Sequence, residues 1–410
     1  MLQYVVWAVT FVSLWVTIVL LNYVADAPKK RRLLRYPLIT IGIPAFNEEE
    51  GVIKTVKSLL AADYPMNKKE IVVVNDGSTD NTAKIMREFV KIHPQVKFIS
   101  KQKGGKASAV NAALKIAKGE FFAVIDADSR IDKNAIKALL LHFTNPKTGA
   151  VITRIRVDQP TNFLERMQRF EYIMSSLTRF MMRNFGTLAI THGVLSMFRT
   201  NVLHKIGGFV QDRNNLTEDF EIALRLRRAG FVVEMATQAI GYTCVPKTMK
   251  GIWRQRLRWS RGYLYNMVNY KDLFFSKGQG VFGTFQLPMN FLAVLLLILN
   301  VGIISYDFLD RGSSFLRRSF TLSGYFWNTV FDFPSIKELV LARNVQIGLP
   351  VLLSLVLGIY LIFVAHRVFN ERIRSHLAPA LAYILVMPYF STVNWISSIV
   401  HEVVRTKRKW

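Results

Sequence analysis

The chain has a single cysteine, Cys244, in 410 residues. That excludes an internal disulfide framework and a cysteine-based zinc site. No phosphate-binding loop of the G-x-x-x-x-G-K-[ST] type occurs, and internal repeats and low-complexity stretches are missing. Acids are scarce, with 28 Asp and Glu against 54 Lys and Arg, a net charge of +26. Such an excess suits nucleic acid, an anionic membrane surface or a charged metabolite. The basic residues are not gathered into a nucleic-acid recognition element, so no nucleic-acid partner is expected. With 51% hydrophobic residues the chain is too apolar for intrinsic disorder.

Charge is absent altogether from four long runs: residues 1–25, 278–306, 344–365 and 377–400. Each is long enough to cross a hydrocarbon core of about 30 Å at about 1.5 Å per helical residue. The first run reads as a transmembrane anchor rather than a cleaved signal peptide, because its cations (Lys29, Lys30, Arg31, Arg32 and Arg35) follow it instead of preceding it. Those cations place the next segment on the cytoplasmic side of the cell membrane. The late runs are apolar around the whole helix, which argues for a multi-pass membrane region over 281–402 of about three spans. Four full spans would return the C-terminus to the outside, whereas the basic tail 403–410 favours the inside. The two readings conflict unless one late run is re-entrant. Residues 315–333, aromatic and partly basic, are expected in the interface.

Between the anchors, short branched or aromatic runs (38–44, 70–75, 96–100 and 121–126) alternate with helical patterns (48–62, 81–92 and 106–118). This alternation predicts βαβ units and a mainly parallel sheet in an α/β domain over 36–247. Ligands of such sheets bind beyond the carboxyl ends of the strands, where the polar motifs of this chain fall. Amphipathic stretches over 162–185 and 248–280 mix apolar residues with arginines and are expected to lie in the membrane interface.

Five motifs carry possible chemistry. Asp126-Ala127-Asp128 follows a strand; it suits a divalent ion that shares its shell with substrate phosphates, or is an ordinary polar turn. Asn75-Asp76-Gly77-Ser78 is a strand-end turn whose acid can accept from a nucleobase N–H. Lys103-Gly104-Gly105-Lys106 opens a helix, where backbone N–H groups and a lysine favour phosphate. Thr217-Glu218-Asp219 starts another helix; acids there are common dipole partners, and one of them can serve as general base to a hydroxyl acceptor. Gln255, Arg258 and Trp259 share a helix face, an amide, a guanidinium and an indole suited to a sugar and a diphosphate.

Together with Pro44-Ala45-Phe46-Asn47-Glu48, these motifs resemble the membrane-embedded processive glycosyltransferases of family 2, the synthases of cellulose, chitin, hyaluronan and poly-N-acetylglucosamine. The resemblance implies a GT-A fold, with interfacial helices and an all-α transmembrane region, and inverting transfer from a UDP-sugar with Mg2+ or Mn2+. It implies that Pro44, Ala45, Asn47, Glu48, Asp76 and Lys106 hold the donor with Asp126, Ala127 and Asp128, the two acids binding the metal. Asp219, with Glu218 beside it, would be catalytic. Gln255, Arg258 and Trp259 would hold the diphosphate and the acceptor end. The acceptor loop maps onto 191–199, so His192 and Gly193 would join Asp219 and Trp259 around the acceptor. The implied partners are a UDP-sugar, a growing polysaccharide or lipid, the bilayer and an export subunit. Two positions depart from the pattern: Asn75 stands where the family often has an acid, and His192 where a small residue is usual. A single-addition glycolipid synthase and a non-catalytic sugar-nucleotide-binding subunit are the competing readings, separated by product size and by metal-dependent UDP release.

Overall fold

The computed structural model describes residues 33–331, 345–372 and 377–406, with scattered positions between Trp7 and Ile18. The anchor expected over 1–25 and the end of the basic tail therefore lie largely outside the described residues. The chain runs β1 (Ile39–Ala45), α1 (Val52–Leu60), β2 (Lys69–Asp76), α2 (Thr82–Ile92), β3 (Val96–Lys101), α3 (Lys106–Lys115), β4 (Phe121–Val124), β5 (Arg130–Ile131) and α4 (Ala135–Leu140). It continues through β6 (Thr148–Val157), α5 (Phe163–Asn184), β7 (Ser196–Arg199), α6 (Thr200–Lys205), α7 (Glu218–Arg228), β8 (Val232–Thr243) and α8 (Met249–Asn269). The described part ends in α9 (Leu287–Thr321), α10 (Tyr325–Phe331), α11 (Val345–Phe369) and α12 (Leu377–Val403).

Eight strands form one sheet in the order β3-β2-β1-β4-β7-β6-β8-β5. The first four are parallel, β7 runs antiparallel to both its neighbours, and β6 and β8 are parallel to each other. The sheet is mainly parallel, as expected, with a parallel block at its N-terminal end, and is made mixed by β7 and β5, which run against the other six strands. Parallel strands are covered on both faces, so β2 reads as an unbroken apolar run. Ile71 and Val73 face one core layer with α1 and α4, while Val72 and Val74 face the other with α3, α5 and α11. α1 buries Val52, Thr55, Val56 and Leu59, a spacing that turns one stripe to the sheet. The strand order reverses between β1 and β4, which opens the crevice where the motif loops meet.

α5 starts on a capping box: the Asn162 side chain accepts from the Glu165 N–H at 2.8 Å, and the Glu165 carboxylate accepts from the Asn162 N–H at 3.0 Å. It lies between the sheet and the two last apolar helices. Phe170 meets Tyr383 edge-on with centroids 5.5 Å apart. α8 packs on α12 through Trp253 against Phe390 and Tyr263 against Trp395. Arginines that a lipid-facing reading would send to headgroups are instead ion-paired within the protein. Arg256 pairs with Glu171 at 2.7 Å, Arg169 with Glu371 at 3.1 Å and Arg261 with Glu402 at 2.7 Å. Three described helices, Phe282–Thr321, Leu352–Phe369 and Leu377–Val403, are long and apolar enough to cross a membrane. The first continues through residues 315–321, part of the segment expected in the interface.

Candidate active site

The loop after β1 is tied to the loop after β2. Asn47 adopts a left-handed conformation (φ 55°), one that Asn tolerates better than most residues. Its side-chain oxygen accepts from the Thr79 N–H at 2.8 Å, and its own N–H donates to Ser78 Oγ at 3.0 Å. The Glu48 N–H donates to Thr82 Oγ1 at 2.8 Å. Glu49 and Asp80 cross-link the loops further: the Asn81 N–H donates to Glu49, and the Glu49 N–H to Asp80.

Asp76 lies at the end of β2, buried in a knot of its own. Its carboxylate accepts from Lys101 Nζ at 2.7 Å and from the N–H groups of Gly104 and Gly105 at 2.9 and 2.7 Å. The glycine N–H groups expected to favour phosphate are thus given to a carboxylate of the chain. Three of about four lone-pair directions are used, which leaves capacity for one further donor. Lys101 escaped notice in the sequence, yet β3 pairs it in register with Asp76, so correct strand pairing would have found it.

Asp126, Ala127 and Asp128 follow β4. Asp126 sits against Gly193: its N–H donates to the Gly193 carbonyl at 2.7 Å, and a Cβ on Gly193 would lie 1.8 Å from Asp126 Oδ2. Any side chain there would force the Asp126 carboxylate to move. Lys106 bridges two motifs, with its Nζ 2.6 Å from Asp126 and 2.9 Å from Glu218. Burial works against the lysine's charge, but Asp126, Glu218 and Asp219 together raise its pKa. Glu48 is pushed up to about 7 by burial and by Asp128, Asp126 and Asp80. Asp128 is raised by burial and by Asp126.

The second acidic motif opens α7. The carboxyl of Asp219 accepts from the Phe220 N–H at 2.8 Å and is raised to about 6 by burial and Glu218, against the pull of Lys106 and Arg258. α8 holds this turn closely. Asn266 donates to Asn215 and to Thr217 Oγ1, both at 3.1 Å, and a Cβ on Gly262 would lie 2.4 Å from Thr217 Oγ1. Thr191 Oγ1 donates to the Asp219 carbonyl at 2.6 Å, which ties in the loop before β7. His192 in that loop is buried and hydrogen-bonds the Thr153 carbonyl at 3.0 Å. Burial and the charge of Arg179 hold its pKa down at about 3. On α8, Trp259 packs on the cluster of Tyr172, Val194 and Val245, with the Arg256 guanidinium 4.2 Å from its ring centroid. Gln255 Oε1, on the same helix, is buried without a partner.

The fold therefore groups Glu48, Asp126 and Asp128, links Asp126 through Lys106 to Glu218, and sets Gly193 against Asp126 and the charge of Arg258 near Asp219. Asp76 belongs to the separate knot. Arg179 was legible only as one interface arginine among several; its place beside His192 and Asp219 comes from the packing of α5 and has no signal in spacing.

Among the described residues no three His, Cys, Asp or Glu side chains are placed to hold a metal ion by themselves. Asp126 and Asp128, whose charges together raise the proton affinity of Glu48, nevertheless fit a hard divalent cation whose shell is completed by diphosphate oxygens.

Residues 37–262 match the family described as glycosyltransferase like family 2. The chain belongs to that family. The matched part has a GT-A-like mixed sheet around a Rossmann-like core. The chain is 34% identical over 229 residues to the poly-beta-1,6-N-acetyl-D-glucosamine synthase of Staphylococcus epidermidis, covering 55% of this chain and 54% of that one. It is 31% identical over 265 residues to the probable glycosyltransferase YdaM of Bacillus subtilis, covering 62% of each. The match thus spans little more than half the length of these relatives. A solved structure of the mannosyltransferase PcManGT from Pyrobaculum calidifontis, in complex with GDP-Man and Mn2+, superposes with a TM-score of 0.57 at 19% identity. It covers 82% of this chain and 100% of its own, a likeness of fold alone.

Proposed function

We propose that this chain is an inverting, divalent-metal-dependent glycosyltransferase that transfers N-acetylglucosamine or glucose from a UDP donor to the end of a β-linked polysaccharide and passes the product across the membrane. The observation that carries the reading is Asp219: a half-buried carboxyl raised to about 6, next to Glu218, which Lys106 joins to the Asp126-Ala127-Asp128 turn. A general base near the operating pH and a diphosphate-binding acid pair are the two halves of glycosyl transfer. The poly-N-acetylglucosamine synthase relative supports the choice of sugar and product.

In this reading Pro44, Ala45, Asn47, Glu48 and Asp76 hold the uridine side. Asp126 and Asp128, flanking Ala127, would hold Mg2+ or Mn2+, which when bound neutralises charge on the diphosphate. Asp219 takes the proton of the acceptor hydroxyl. The hydroxyl oxygen attacks the anomeric carbon from the face opposite UDP, the bond from that carbon to the diphosphate oxygen breaks, and an α-linked donor yields a β-linkage. Lys106 and Arg258 stabilise the charge left on UDP. Gln255, His192, Gly193 and Trp259 surround the acceptor sugar. The catalytic domain, 36–247, faces the cytosol, with α8 as an interfacial helix and residues 281–402 as the membrane region.

The test is UDP release by the full chain in nanodiscs across a panel of UDP-sugars, with product sizing. Asp219→Asn is expected to lose about 10²- to 10⁴-fold in transfer, the usual contribution of a general base, while still binding UDP. Near-native turnover in that variant sinks the assignment. A product of one sugar on a lipid would move the enzyme to the glycolipid synthases.

A further inference from the structure

We infer that Arg179 positions the acceptor: its guanidinium donates to an oxygen of the sugar that receives the new unit. The inference rests on the transferase reading above and adds a residue to its site. Tyr172, Ser176 and Arg179 follow one another at i, i+4 and i+7 on α5 and so share one face of that helix. Ser176 Oγ and Arg179 Nη1 on this face are both buried without a hydrogen-bond partner. Buried polar atoms are paired in the great majority of cases, so two in succession on one helix face need a reason.

The elements opposite show the same condition. A carbonyl can only accept, so the contact of His192 Nε2 with the Thr153 carbonyl places the ring proton on Nε2. His192 Nδ1 is then an acceptor, and it is buried without a partner. So is Gln255 Oε1 on α8. Tyr172 and Trp259 supply aromatic surface in the same cluster. Arg179 lies within electrostatic reach of Tyr172, His192 and Asp219, so its donor, the Ser176 hydroxyl one turn before it and the neutral acceptors of the neighbouring loop and helix match a sugar. A sugar brings both hydroxyl donors and oxygen acceptors, together with apolar ring faces. They do not match an anion, which would leave the acceptors unpaired and meet the carboxylate of Asp219. Glu171, next to Tyr172 on α5, accepts from Arg256 at 2.7 Å and acts on Arg179 through its charge, while Arg179 Nη1 keeps no hydrogen-bond partner.

The experiment uses the full chain in nanodiscs with its preferred UDP-sugar and short β-linked oligosaccharides of that sugar as acceptors. Arg179→Gln is expected to raise the acceptor KM about 10- to 100-fold, the loss expected when a charged donor is removed. The kcat at saturating acceptor should change far less, and Arg179→Lys should recover part of the KM. An unchanged acceptor KM in Arg179→Gln, or a fall in kcat with KM constant, overturns the inference. If Arg179→Gln no longer binds UDP, Arg179→Lys decides alone: a raised acceptor KM supports the inference and a wild-type KM overturns it. A wild-type protein that transfers sugar from no UDP donor would overturn the transferase reading itself, an outcome distinct from wild-type transfer with an Arg179-independent KM.

Discussion

The two halves of the catalytic domain satisfy their polar groups in different ways. From Leu33 to Thr153 no described buried side-chain nitrogen or oxygen lacks a hydrogen-bond partner. From Arg154 onward such atoms recur, on α5, in the loop before β7 and on α8. The first half is the parallel block, where Asn47, Ser78, Thr79 and Thr82 lock two loops together and Asp76 is held by Lys101, Gly104 and Gly105. The second half is the mixed end of the sheet, packed on helices that are apolar enough to span a membrane. The difference separates two kinds of site. A nucleotide of fixed shape can be met by groups whose partners are already set, at no cost of rearrangement on binding. On the proposed function, a sugar arriving at the end of a chain would be met by groups that still have capacity. Lys106 and the contact of Gly193 with Asp126 are where the halves join.

The largest effect that tests this division lies on the donor side. Asp128→Asn should cut transfer about 10²-fold or more, on the scale of removing a group that stabilises the departing charge. A chelator should abolish activity in the wild type, and added Mn2+ or Mg2+ should restore it. UDP release is the readout. Activity that survives the chelator would remove the metal from the mechanism and leave Lys106 and Arg258 as the only charge on the leaving group.

The junction between the halves is tested by pH. The carboxyl of Asp219 is raised to about 6 by burial and by Glu218. A base must be in its carboxylate form, so activity is present above that value and lost as pH falls through it, by about tenfold per unit. His192, held at about 3, stays neutral over this range and adds no inflection. Lys106 pulls the Asp219 value down. Lys106→Met should therefore move the acid limb of the kcat profile to higher pH, whatever its effect on rate. A limb that stays in place would mean that Lys106 and Asp219 are not coupled.

The same division explains what could be read from the sequence. The strands of the parallel block were visible because burial on both faces makes them plain apolar runs, as in Ile71–Val74 at the centre of β2. The motif loops followed from the rule that such sheets bind ligands at their carboxyl ends. β6 stayed hidden because Arg154 and Arg156 interrupt it. The structure pairs both with Glu371, 215 positions or more along the chain, a partner that no local pattern can reveal. Arg179 stayed hidden for a related reason. An arginine on an amphipathic helix reads as a snorkelling cation, and only packing shows that its nitrogen is buried.

The smallest predicted effects test the comparison most directly, because they ask whether the unpartnered atoms of the second half are a cost that the folded protein bears. Thr55 and Ser176 are both fully buried hydroxyls on helices that cover the sheet. Thr55 Oγ1 donates to the Ala127 carbonyl at 2.6 Å, whereas Ser176 Oγ has no partner. Thr55→Val keeps the shape and leaves that carbonyl unpaired, which should cost about 1–3 kcal/mol and lower the apparent melting midpoint. Ser176→Ala removes a hydroxyl that is desolvated and unpaired, so the midpoint should stay level or rise, by an amount corresponding to about 1 kcal/mol at most. The readout is thermal unfolding of each variant in the same detergent. Opposite signs would mean that the first half is complete in the absence of ligand and the second is not. A loss of stability in Ser176→Ala comparable to that of Thr55→Val would mean that the Ser176 hydroxyl is already satisfied in the folded protein, and the contrast between the halves would fail at that position.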